Sequence, residues 1–324
     1  MKRYTAAIIG AGSIGALKPD KYDSPKTKEV LTHAHAYWMQ RKRVQLTHII
    51  DANIDKAKTA SKKWETNWGD NLSSIPQGID IISICTPDNT HKQMVEQCLL
   101  IQPKLIILEK PGGKDLKECQ SIRSMCLQNK IPLMIDYSRR YEISTKIVKE
   151  DVDNNRLGEI YSCVVYYDRG LLRDGSHAID LLNYWFGPFL NGFILPGKKH
   201  EDWDNIDTTV PVWLSYEKCN NVFLIPSDGR SFSTFDIIIT TEAGQISYKE
   251  HGTKMHFTSV VPEPIYGDYK TLAPEALKLK TELTISLQLM IENGLNFLDG
   301  REMLICTGKD AVKVHEVIQF LRGQ

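Results

Sequence analysis

Several features are missing from these 324 residues, and each absence narrows the reading. No stretch approaches the roughly 18 consecutive apolar residues that a membrane-spanning helix requires, so no membrane partner is expected. Charge of one sign is not in excess. Forty Lys and Arg balance forty Asp and Glu, which leaves no overall basic field to hold nucleic acid or anionic lipid. The seven cysteines (Cys85, Cys98, Cys119, Cys126, Cys163, Cys219 and Cys306) are odd in number and include no C-x-x-C pair. That argues against a zinc site or a disulfide framework and for reduced thiols, with no metal expected. Met1-Lys2-Arg3 leads straight into a strand pattern with no apolar stretch of signal-peptide length, so a cytoplasmic location is expected. What is present is globular composition, 42% hydrophobic and 25% charged, in a chain long enough for two domains of about 100–200 residues.

The first half alternates between short apolar runs and amphipathic patterns. The runs are Tyr4–Ile9, Val44–Ile50, Ile79–Cys85, Leu105–Leu108 and Ile131–Ile135; the helical patterns are Thr32–Arg41, Ile54–Trp64, Thr90–Leu100 and Leu116–Asn129. Such alternation indicates βαβ units around a parallel sheet covered on both faces, a doubly wound α/β domain over residues 1–136. Residues 137–324 read differently. Ile160–Tyr167, Thr208–Ser215, Asn221–Ile225, Phe232–Thr240 and Gln245–Glu250 have strand character, with helices at Ser176–Phe186, Leu283–Leu298 and Lys309–Leu321. Strands with segregated helices predict an α+β domain on a large, mostly antiparallel open sheet. Pro188–Asp204 and Thr253–Pro274 are Pro/Gly-rich and are expected to be loops.

Gly10-Ala11-Gly12-Ser13-Ile14-Gly15 follows the first strand and forms a G-x-G-x-x-G. In this setting each glycine has a mechanical task. The first permits a tight turn, the second lets a pyrophosphate approach the backbone, and the third lets helix pack on strand. A helix starting here would point its N–H groups and positive dipole end at the phosphates. An acidic residue about 20 positions on should bind the ribose hydroxyls. Asp51 closes the next strand but comes later; the polar segment Lys18–Lys28, with two prolines, reads as a surface insertion that accounts for the excess. A carboxylate there favours NAD over NADP, with Lys56 and Lys58 close in sequence. Its alternative role is a helix N-cap. His33 and His35 lie two apart on a helix, point to different faces, and do not form a metal pair.

Three further segments join the glycine turn: Thr86-Pro87-Asp88-Asn89-Thr90-His91, Glu109-Lys110-Pro111 and Arg173-Asp174-Gly175-Ser176-His177-Ala178-Ile179-Asp180. In this order and spacing they resemble the Gfo/Idh/MocA family, the glucose–fructose oxidoreductase and inositol dehydrogenase group. The resemblance implies a Rossmann domain followed by an open-sheet domain, with NAD(P) and a sugar-like substrate as ligands. It implies that Lys110 lies beside the reacting carbon and that His177 is the acid/base. Gly10, Gly12, Ser13, Ile14, Gly15, Asp51, Thr86, Pro87, His91, Glu109 and Lys110 then hold the cofactor. Arg139 falls where relatives contact substrate.

One position departs from the family pattern. The acid four residues before the histidine is Arg173, and Asp174 is one place out of register. An Arg there lowers the histidine pKa by like-charge repulsion, unless Asp180, one helical turn on, holds the ring or Arg173 itself binds an anionic substrate group. Arg139, Arg140 and Arg169 are candidates to join such an anion pocket, and Asp174 remains a candidate substrate contact. The expectation is an NAD-dependent oxidoreductase acting on a hydroxyl or keto carbon of a sugar, cyclitol or nucleotide-linked sugar bearing an anionic group. A homodimer or homotetramer is expected. The competing reading is a catalytically reduced NAD-binding sensor on the same scaffold.

Overall fold

The computed structural model describes residues 3–201 and 207–323; the last part of the expected loop Pro188–Asp204 lies outside them. The chain forms two compact units, one of residues 1–141 with 284–315 and one of residues 142–283 with 316–324. A boundary placed near residue 136 is linear, whereas 284–315 lies late in the sequence and still belongs to the first unit.

In the first unit the elements run β1 (Tyr4–Ile9), α1 (His33–Met39), β2 (Val44–Ile50), α2 (Ile54–Trp64), β3 (Asn67–Gly69), β4 (Ile81–Ile84), α3 (His91–Ile101), β5 (Leu105–Glu109), α4 (Leu116–Gln128) and β6 (Leu133–Asp136). The strands form one parallel sheet in the order β3-β2-β1-β4-β5-β6. All four residues of β4 and Leu105–Leu108 of β5 are buried, as a sheet covered on both faces demands. The order reverses direction at β1 and β4, which places a crevice beyond the carboxyl ends of those two strands. β3 is too short, at three residues, and too exposed to leave an apolar signature in the sequence.

The helix expected directly after Gly15 is absent in that form. One turn forms, with the Ala16 N–H donating to the Gly12 carbonyl at 3.0 Å, and the chain then leaves the helix axis. It returns at His33, whose N–H donates to the Ile14 carbonyl at 3.0 Å, while Ala34 N–H donates to the Gly15 carbonyl at 2.9 Å. These carbonyls would ordinarily be served by residues 18 and 19. Residues 18–32 are therefore an insertion spliced into a helix, with two rungs of the hydrogen-bond ladder kept across the break. The Ala16 carbonyl accepts the Trp64 indole N–H at 2.8 Å.

The insertion is not wholly a surface feature either. Asp23 is fully buried and accepts bonds from Leu31 N–H (2.9 Å), Thr32 Oγ1 (2.8 Å) and His35 Nδ1 (2.9 Å). Thr32 in turn N-caps α1, its side chain accepting the His35 N–H at 3.2 Å. A polar stretch read as solvated thus hides one carboxylate that fastens the re-entry of the helix.

The second unit contains α5 (Ile143–Asp153), β7 (Ile160–Tyr167), α6 (Gly175–Phe186), β8 (Phe189–Ile194), β9 (His200–Glu201), β10 (Thr208–Thr209), β11 (Val212–Tyr216), β12 (Cys219–Pro226), β13 (Asp236–Thr241), β14 (Gly244–Lys249), β15 (Lys254–Pro262), β16 (Lys270–Leu272) and β17 (Leu277–Leu279). Nine strands form its large sheet, antiparallel except where β12 runs parallel to β7. Both expected loops contain strands: β8 and β9 lie in the first, β15 and β16 in the second. Tertiary pairing with β11 and β14 overrides their Pro/Gly content. The run Thr208–Ser215 is divided at Pro211, which cannot donate to a ladder.

β13 and β14 alternate buried and half-exposed residues, so one face of this sheet is covered and the other is open. On the open face Phe193, Trp213, Phe223, Val164 and Ile238 lie in one cross-strand row, none of them buried. The chain ends with α7 (Ser286–Leu298) and α8 (Gly308–Arg322). Among the described residues no helix is long and apolar enough to cross a membrane. All seven cysteines are buried.

Candidate active site

At the carboxyl ends of β1, β2 and β4 the first unit opens into a groove of about 840 Å³. Its wall includes Gly10, Gly12, Ser13 and Ile14 from the glycine turn, Asp51 from the end of β2, and Thr86 and Pro87 after β4. The three glycines fulfil distinct geometric requirements. Gly10 has φ +100°, a conformation L side chains rarely adopt. A Cβ on Gly15 would lie 1.9 Å from the Gly10 carbonyl oxygen, so that residue must be bare for helix and turn to meet. A Cβ on Gly12 would meet nothing within 4 Å. Neither backbone strain nor packing explains Gly12, and the space a side chain would fill is open to a ligand. The cradle therefore fits the pyrophosphate of a dinucleotide.

Asp51 binds the turn it faces. Its Oδ2 accepts the Ala11 N–H and its Oδ1 accepts the Asn53 N–H, both at 2.8 Å. The N-cap of α2 is Asn53, which accepts the Lys56 N–H at 3.1 Å, so capping is not the task of Asp51. Opposite, Thr90 Oγ1 donates to the Pro87 carbonyl at 2.7 Å and contacts Thr86 Oγ1 at 2.8 Å, stiffening the Thr86–Pro87 wall. His91 is fully buried and contacts the Thr86 carbonyl through Nε2 at 3.0 Å. Burial lowers its pKa, which keeps the ring neutral, so it supports the wall from behind and does not line it.

Glu109 ends β5, and the half-buried Lys110 follows it. His33 Nε2 lies 3.0 Å from Glu109 Oε1 and 3.1 Å from Asp136 Oδ2, deep in the unit. Burial and the neighbouring Asp136 charge push the Glu109 carboxyl up to about 7, although His33 works the other way. Burial opposes a charged His33, yet Cys85, Asp136 and Glu109 together hold its pKa well above the usual imidazole value. A ring nitrogen of His33, Cys85 Sγ and a Glu109 oxygen lie within 4.8 Å of one another, and His33 Nε2 makes hydrogen-bond-length contacts with Glu109 and Asp136. Sequence reading missed this cluster because His33 reaches it through the splice, and Asp136 gave no motif.

In the second unit His177 lies in the first turn of α6, half-buried, and Asp180 one turn on is buried. A five-residue π-helical turn, Gly170–Asp174, precedes it and contains Arg173 and Asp174. Asp207, itself buried, accepts the N–H groups of Leu172 (2.6 Å) and Arg173 (3.0 Å) and pairs with Arg322 at 2.8 Å. Two expectations for an anion pocket change here. Arg169 is neutralised by Asp168 at 3.2 Å and by Asp174 at 2.8 Å, which also commits the Asp174 carboxylate to an ion pair. Arg140, in the first unit, is buried and paired with Asp310 at 3.2 Å. Arg139 is half-buried within the short turn Ser138–Tyr141 that follows β6.

A model of the oxidoreductase family with an NAD-binding Rossmann fold, Gfo/Idh/MocA, matches residues 4–137. That stretch is the sheet, the glycine turn and the groove. Residues 4–137 belong to the Gfo/Idh/MocA family. The first unit is thus an NAD(P)-binding Rossmann domain. Inositol 2-dehydrogenase of Rhizobium meliloti (strain 1021) is 30% identical over 123 residues, 34% of this chain and 37% of that protein. D-glucoside 3-dehydrogenase of Escherichia coli (strain K12) is 25% identical over 163 residues, 48% of this chain and 40% of that one. The chain therefore spans less than half the length of these two curated relatives. The WlbA dehydrogenase of Bordetella pertussis, solved with NADH and UDP-GlcNAcA, superimposes with a TM-score of 0.75 at 15% identity, covering 99% of this chain and 96% of that one. That likeness extends the shared fold over both units.

Proposed function

We propose that the chain is an NAD-dependent oxidoreductase that moves a hydride to or from a hydroxyl-bearing or keto carbon of a sugar-like substrate. The observation that carries this reading is Gly12, bare where nothing in the protein would touch a side chain, within a groove that also holds Asp51 and the Thr86–Pro87 wall. Gly10, Gly12, Ser13 and Ile14 would hold the pyrophosphate through backbone N–H groups, and Asp51 the adenosine ribose. The negative charge of Asp51 disfavours a 2′-phosphate, which makes NAD the preferred cofactor over NADP.

When bound, the nicotinamide supplies hydride exchange. Lys110 stabilises negative charge developing on the substrate oxygen, and His177 removes or returns the hydroxyl proton. Arg139 and Arg173 are the residues proposed to meet an anionic group on the substrate. The names of the relatives, an inositol dehydrogenase and a glucoside dehydrogenase, support a polyhydroxylated substrate. The apolar row on the open sheet face supports self-association into a homodimer or homotetramer, with about 800 Å² per partner as the ordinary scale.

The test is absorbance at 340 nm with NAD, NADP and their reduced forms against a panel of neutral and acidic sugars, cyclitols and nucleotide sugars. Turnover with an acidic member and preference for NAD are expected. Tight NADH binding with no turnover across the panel would instead favour a sensor.

A further inference from the structure

The insertion 18–32 keeps two rungs of the helix ladder across the break, and it also brings a side chain to the groove. Its first residue, Lys18, lines the groove alongside Gly12 and Ser13, and its Nζ lies 3.3 Å from Ser13 Oγ. The Lys18 carbonyl accepts from Lys63 Nζ at 2.8 Å, and Lys63 also pairs with Asp20 at 3.0 Å, so both the start of the insertion and its first acidic residue are tied to α2. Lys18 is half-buried, which strengthens its field relative to a freely solvated lysine. The other groove cation, Lys56, belongs to α2 and follows Asp51 and Ala52 on the wall, at the ribose end. Lys18 alone of the two adjoins the glycine turn.

We propose that Lys18 is a phosphate-binding residue, carried by the insertion to the Gly12–Ser13 cradle, where its ammonium complements the pyrophosphate of the dinucleotide. The inference rests on the dinucleotide reading and sharpens it. A pyrophosphate brings two negative charges, and backbone N–H groups at a helix start offset them only in part. A lysine ammonium acts there as a point charge, without the paired geometry an arginine would impose. The neighbouring Ser13 hydroxyl gives the ammonium an oxygen partner at this place.

The experiment uses the full chain and three probes, NADH, ADP-ribose and adenosine, the last measured by displacement of NADH, each at low and high salt. Lys18→Ala is expected to weaken NADH and ADP-ribose by the same factor, about tenfold to a hundredfold, and to leave adenosine unchanged. The wild-type affinity for ADP-ribose should also fall more steeply with salt than that of the variant. Lys18→Met keeps the aliphatic stem and should behave as Lys18→Ala, whereas Lys18→Arg should retain most of the affinity. An unchanged ADP-ribose affinity in Lys18→Ala overturns the role of Lys18 while leaving the groove reading intact. Equal weakening of adenosine, or full affinity in Lys18→Met, also overturns it, since packing would then be the cause. Wild-type protein that binds neither NADH nor ADP-ribose contradicts the dinucleotide reading itself.

Discussion

Two turns in this molecule each donate backbone N–H bonds to a distant aspartate, and they differ in how much of their shape is written in their own residues. The glycine turn of the first unit is shaped by the backbone: Gly10 adopts a positive φ, and Gly15 is bare because its neighbour is a carbonyl 1.9 Å from any Cβ. The π turn of the second unit is held by distant side chains. Asp207 secures the Leu172 and Arg173 N–H groups from more than thirty residues away, and Arg322 neutralises Asp207 from farther still. A motif written in glycine spacing states its own shape, and Asp51, forty residues on, adds one bond by accepting the Ala11 N–H. A turn braced by an Asp at one point and an Arg at another leaves no local pattern at all.

The largest expected effect tests the first half of that comparison. Gly15→Ala should lower the melting temperature by more than about 10 °C or abolish folding, since the clash is with backbone. Gly12→Ala should melt as the wild type does and yet lose NADH affinity by about a hundredfold. Similar behaviour of the two variants, in calorimetry and NADH titration, would remove the distinction between a structural and a ligand-facing glycine. In the second unit, His177→Asn should reduce turnover by about two orders of magnitude without changing NADH affinity. Unaltered kcat would take His177 out of the chemistry.

Two smaller effects sharpen the picture of the first unit. Asp51→Asn should shift the ratio of NAD to NADP affinity toward NADP by roughly tenfold, because one negative charge is lost beside the ribose. A ratio that stays constant would mean that Asp51 serves only the Ala11 and Asn53 N–H groups. Asp23→Asn should cost about 1–3 kcal/mol at neutral pH. Burial opposes ionisation of Asp23, but the bonds from His35, Leu31 N–H and Thr32 prevail and hold its pKa below the usual carboxylate value. Its contribution is therefore present above about pH 4, the unfolded value, and disappears as pH falls through the lower folded one. Urea denaturation between pH 7 and pH 3 should show a steeper acid loss in wild type than in Asp23→Asn; parallel curves would contradict the assignment.

Much of the first unit was legible because β1, β2 and α2 fall at the ends their apolar patterns mark, and because the glycine turn states its own geometry. The break after one helical turn was not legible: an ordered splice depends on His33 and Ala34 finding the Ile14 and Gly15 carbonyls, which is tertiary information. For the same reason the buried Asp23 looked like one more charge in a polar segment. β8 and β15 were hidden by proline and glycine, and their pairing with β11 and β14 decided the outcome. At the candidate site, Asp51 was marked by its place at the end of β2 and the Thr86–Pro87 stretch by the family resemblance, whereas His91 behind that wall, the commitment of Asp174 to Arg169 and the cluster of His33, Glu109 and Asp136 depend on distances no linear spacing contains.

A crystal structure of the full chain with NADH bound tests the central claim most directly. The pyrophosphate oxygens should lie against the Gly12 and Ser13 amides, with the adenosine ribose hydroxyls on Asp51. Density for the nucleotide anywhere else, or a groove that stays filled with water at saturating NADH, would contradict it.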